Sequence, residues 1–76
     1  MINAQQIREH MEVIGADDVH VGVVDRVEGS GIKLTKRDPL AEGTHHHVPL
    51  DWVERVDAHV HLNRESSELL ALWKHA

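Results

Sequence analysis

"HVGVVDRVEGSGIKL", residues 20–34, decides the fold of this 76-residue chain. Apolar residues recur through it with a period near two, the signature of strands rather than helices. Val21, Val23 and Val27 fall on one face, and Asp25 interrupts them. Gly22, inside the run, predicts a bulge or a close backbone approach. Gly29-Ser30-Gly31 predicts a tight hairpin turn and not a phosphate loop, because a strand and not a helix follows it. Residues 32–37 then alternate, with Ile32 and Leu34 inward and Lys33, Thr35 and Arg37 outward.

Upstream, Asn3 and Gln6 form a capping-box pattern, with Ile2 and Ile7 placed as a hydrophobic staple. They predict a short helix over residues 4–10, which needs tertiary support at that length. Residues 11–15 read as a strand ending at Gly15, and Ala16-Asp17-Asp18 as a turn. Downstream, residues 38–44 form the longest irregular connection. "HHHVPL", residues 45–50, is a strand in which Pro49 forbids a central position unless its nitrogen faces away from a partner. Residues 51–54 make a single turn. "RVDAHVHL", residues 55–62, reads as one strand with Val56, Ala58, Val60 and Leu62 on one face and Asp57, His59 and His61 on the other. A helix over 63–75, capped by Asn63 or Ser66, carries the stripe Leu69, Leu70, Leu72 and Trp73.

Five short strands between turns predict a mainly β domain, a small antiparallel SH3-like barrel over residues 11–62 flanked by the two helices. Closure would pair the last strand with the first and remove the exposed edges. The whole chain, 1–76, is one domain. A chain this short buries only about 60% of its unfolded surface, too little for a full core and a deep active site together. Cysteine is absent, so disulfides and thiolate ligands are excluded. Neither a signal-peptide pattern nor an apolar run of membrane-span length occurs, which makes the cytoplasm the expected compartment.

Thirteen acidic residues against eight basic give a formal charge of −5. Lys33, Lys36 and Arg37 form a small basic cluster that reads as a solvated strand face. Phe and Tyr are absent. Nucleic-acid binding is therefore disfavoured, for want of both counterion-releasing cations and stacking platforms. Eight histidines are the compositional anomaly: eight added protons would move the charge from −5 to +3.

Val21-Gly22-Val23-Val24-Asp25, then Val48-Pro49-Leu50-Asp51, then Val53 and the run to Leu62 resemble the PRC-barrel group. That group includes domains of a photosynthetic reaction-centre subunit and of a ribosome-maturation factor. The whole chain, from "INAQQIREHMEVIG" to Trp73, resembles more closely a family of small stand-alone bacterial proteins of unknown function related to that group. The resemblance implies a PRC-barrel-like fold and a docking role, and it carries over no catalytic residue. Kinship to the maturation factor also raises an RNA- or ribosome-associated role.

Among candidate site residues, His45 and His47 share the outer face of one predicted strand, and His59 and His61 that of another. Two His-x-His pairs are a metal-ligand pattern suited to zinc, nickel or copper. The expected topology holds the pairs apart, with no Asp or Glu placed between them as an orienting partner. Solvated outer-face histidines are the default expectation, with His46 a hydrogen-bonded residue at the barrel rim. Trp52 covers a barrel mouth or presents a binding surface. With Leu69, Leu72 and Trp73 it forms the candidate partner-binding set, and the apolar stripe of the last helix favours a homodimer. Ser30, Ser66 and Ser67 do not lie on a strand-to-helix elbow, so no catalytic residue and no cofactor are assigned. The expected function is a non-catalytic adaptor that docks a protein, with a histidine-dependent metal-binding or pH-responsive protein as the alternative.

Overall fold

The computed structural model describes residues 4–38, 41 and 43–74. The predicted cap at Asn3, the staple residue Ile2 and the predicted helix end at residue 75 lie outside the described residues. The chain is mainly β, with six strands and one α-helix among the described residues: β1 Glu12–Ile14, β2 His20–Glu28, β3 Gly31–Leu34, β4 His47–Pro49, β5 Val53–Val56, β6 Val60–Leu62 and α1 Ser66–Lys74. Within the predicted first helix, the structure has a 3-10 turn at Ala4–Gln6. Another 3-10 turn, Leu50–Trp52, joins β4 to β5.

The strands form one open mixed sheet in the order β4-β3-β2-β1-β6-β5. The expected barrel is not closed, because β4 and β5 lie at opposite edges. The last strand does pair with the first, as expected, but in parallel, with Val13 opposite Val60. The sixth strand comes from residues 55–62, which are not one strand. Asp57 N–H donates to the His59 carbonyl at 3.0 Å, and the chain reverses there so that Val56 faces Val60. Ala58 is accordingly exposed in the turn rather than buried. Alternation alone cannot reveal such a reversal, because a tight turn preserves the polar-apolar phase. Pro49 sits on an edge strand, as its missing N–H requires. Both edge strands are short, and β5 exposes Glu54 and Arg55, which discourages pairing with other chains.

β2 is the long strand that pairs on both sides. Its register slips against β1 near Val21 and against β3 near Asp25. Two bulges explain why the buried positions are Val21 and Val24, with Val27 partly buried, and not the strict alternation of Val21, Val23 and Val27. Gly22 shows the close approach expected of it: a Cβ there would stand 2.9 Å from Leu34 Cδ1. The core joins Val13, Val21, Val24, Ile32, Leu34, Val48, Val53, Val60 and Leu62 of the sheet to Ile7 and to Leu69 of α1.

The start of α1 is tied to the β1–β2 connection. The Asp17 carboxylate accepts the Ser66 N–H at 3.1 Å and the Ser66 hydroxyl at 2.7 Å. The side-chain cap thus comes from a residue 49 positions away and not from Asn63 or Ser66, and it satisfies a donor that the helix itself leaves open. The Ser66 hydroxyl bond holds the Asp17 carboxyl below the usual carboxylate range. Among the described residues, no helix is long and apolar enough to cross a membrane.

Candidate functional site

Strands β2, β1 and β6 are neighbours in the sheet, and their polar side chains form a row of histidines and carboxylates. Asp38, whose side chain is 5% exposed, places Oδ2 2.5 Å from His20 Nε2. His20 Nδ1 lies 2.7 Å from Glu12 Oε2. The other oxygen of Glu12, Oε1, lies 2.9 Å from His59 Nε2. Beyond it, His61 Nε2 stands 2.8 Å from Asp57 Oδ1, which also accepts the His59 backbone N–H at 2.9 Å. The His59 and His61 rings meet edge to face with centroids 6.2 Å apart. Asp57, His59 and His61 each offer a ligand atom within 4.8 Å of the others.

Two electrostatic consequences follow. Partial burial opposes a charge on His20, but the hydrogen bonds its ring donates to Asp38 and Glu12, with their negative charges, outweigh it and raise the imidazole pKa. The Asp57 carboxyl is lowered, first by the His59 backbone N–H and then by His61. Each shift favours the charged form of its own group, the imidazolium of His20 and the carboxylate of Asp57.

The two His-x-His pairs do not come together. β4 and β6 are separated by three strands, and each pair has its own partners. His45 Nδ1 bonds the Leu34 carbonyl at 2.9 Å, and His47 Nε2 is 4.0 Å from Glu28. A single four-histidine site is therefore not assembled. Carboxylates do stand beside the second pair on its own side of the sheet, Glu12 at His59 and Asp57 at His61. Asp57 was legible, because alternation places it on the face of His59 and His61. Glu12 was not, because it reaches His59 through the parallel β1–β6 pairing.

His46 stacks on Trp73 with centroids 4.6 Å apart and planes at 14°. Trp52 is half-buried, with the Arg64 guanidinium 4.9 Å above its ring. Leu69 is fully buried and engaged in the chain's own core, whereas Leu72 is 54% exposed. Lys36 and Arg37, with His10, Asp25 and His45, line an open cleft of about 670 Å³ that reaches Asp38 at one end of the row.

Residues 7–69 match the model of a family described as "Uncharacterized protein conserved in bacteria" (DUF2171). No curated protein and no solved structure matches the chain.

Proposed function

The chain belongs to that bacterial family, and on this premise we propose that it is a non-catalytic, PRC-barrel-like module that docks a protein partner in the cytoplasm. One observation carries the proposal. Helix α1 commits Leu69 to the core yet leaves Leu72 more than half exposed, beside a Trp73 that is only half-buried. Exposed apolar side chains on so short a helix are what a partner surface would cover. The PRC-like part is supported by where the motif residues fall: residues 21–25 lie on the bent β2, and residues 48–51 on β4 and the turn after it. Trp52, with Arg64 over its ring, adds a half-buried aromatic side chain of the kind that anchors interfaces.

A photo-cross-linker at position 72 tests the proposal in the native cell, with one at the exposed Glu54 of β5 as control. One partner captured from position 72 and not from position 54, and lost when Trp73 is replaced, is the expected result. A second copy of this chain counts as such a partner. Equal capture from both positions would overturn the docking role. The row of histidines and carboxylates supports a second reading, a metal-binding or pH-responsive protein.

A further inference from the structure

The geometry points to a site for one divalent transition-metal ion, zinc in the first instance, built by Asp57, His59 and His61, with Glu12 orienting His59 from the neighbouring strand. Two imidazoles and a carboxylate are a donor set that zinc takes, with a fourth position left for water. The same nitrogen-rich set also accepts nickel and copper.

The β5–β6 turn builds the site locally. It carries Asp57 two and four residues ahead of the histidines and folds the three donors to within 4.8 Å of one another. Tetrahedral bonds of about 2.0–2.1 Å put the donors roughly 3.3 Å apart. His61 Nε2 and Asp57 Oδ1, now at 2.8 Å, would open by about half an ångström to admit the ion between them. His59 and Asp57 are partly exposed and can rotate to close the remaining gap, while the His61 side chain, 12% exposed, is held by its surroundings.

Glu12 is the second, independent observation. Its Oε1 stands 2.9 Å from His59 Nε2, so it takes the N–H of that nitrogen and leaves Nδ1 as the ligand atom. A carboxylate on the far nitrogen of a histidine fixes its tautomer, orients the ring and strengthens it as a ligand. Arg55 opposes a cation, with Nε 3.7 Å from Asp57 Oδ2, but its side chain is 64% exposed and free to turn into solvent.

Zinc chloride and nickel chloride are titrated into the full chain by calorimetry, and zinc is followed in parallel by NMR of the imidazole rings. One ion per chain is expected, with the His59 and His61 rings shifting together up to one equivalent. His59→Ala/His61→Ala should abolish this binding, Glu12→Gln should weaken it about 10–100-fold, and His45→Ala/His47→Ala should leave it unchanged. Binding that survives the first double variant, or weak binding of several ions spread over all the histidines, would overturn the site. Should that variant fail to fold, the wild-type NMR titration still decides: rings of His59 and His61 that stay put while zinc binds refute the assignment.

Discussion

Replacing Gly15 with alanine tests the junction on which the position of α1 depends. Gly15 is buried where β1 ends, and a Cβ built there would lie 2.7 Å from Asp17 Oδ1, 2.8 Å from Ser66 N and 3.0 Å from the Arg64 carbonyl oxygen. The Asp17 side chain can swing away, at the loss of the α1 cap. The other two atoms are backbone and yield only if the start of α1 moves. That same Arg64 carbonyl accepts the Ala16 N–H at 2.7 Å, so the movement strains a second tie. Overpacking costs about 1–3 kcal/mol, and the stiffer unfolded chain returns about 0.4–1 kcal/mol. The net expectation is a loss of up to about 2.6 kcal/mol. Against about 4–11 kcal/mol for a 76-residue domain, that is a substantial fraction. Urea unfolding followed by tryptophan fluorescence measures it. Gly31→Ala is the control, since its Cβ would meet the Val48 carbonyl oxygen at an ordinary 3.5 Å. The steric reasoning is refuted if Gly15→Ala costs no more than Gly31→Ala.

Leu69→Ala should cost about 2–5 kcal/mol, since the side chain is fully buried in the core. Leu72→Ala should stay within about 0.5 kcal/mol of wild type in a monomer at low concentration; similar costs in urea melts would contradict the placement of α1. Trp73→Ala should cost less than the about 3–5 kcal/mol of a fully buried aromatic, because Trp73 is half-buried against His46. His20 should make stability depend on pH. Its folded pKa is raised by Asp38 and Glu12, the charged groups that face it, so its stabilising contribution is present below the unfolded value of about 6.5 and is lost as pH rises through the folded value. The stability difference between wild type and His20→Asn should shrink between pH 6 and pH 8.5, with solvent screening keeping the change modest for a side chain 36% exposed. A difference that stays flat or grows over that range would refute the His20 bridge.

Local chemistry makes much of this protein legible in its sequence alone. Alternation in residues 20–34 and the two glycines around Ser30 specify the β2–β3 hairpin, because strand period and turn propensity act over a few residues. Pro49 placed β4 on an edge for the same kind of reason, a missing donor. The grouping of Asp57, His59 and His61 on one face also followed from alternation. What tertiary structure alone decided are the features that join distant parts of the chain. The parallel pairing of β1 with β6 brings Glu12 to His59, and it depends on a register between residues nearly fifty positions apart. Asp17 caps α1 across 49 positions, and Asp38 meets His20 from an irregular segment with no periodicity to read. The two bulges in β2, and the reversal at Asp57 that adds a sixth strand, arise where packing of Val21, Val24, Val56 and Val60 overrides the simple period of two. Short-range propensities constrain each segment separately, whereas register and partner choice are set by how those segments bury their apolar faces together.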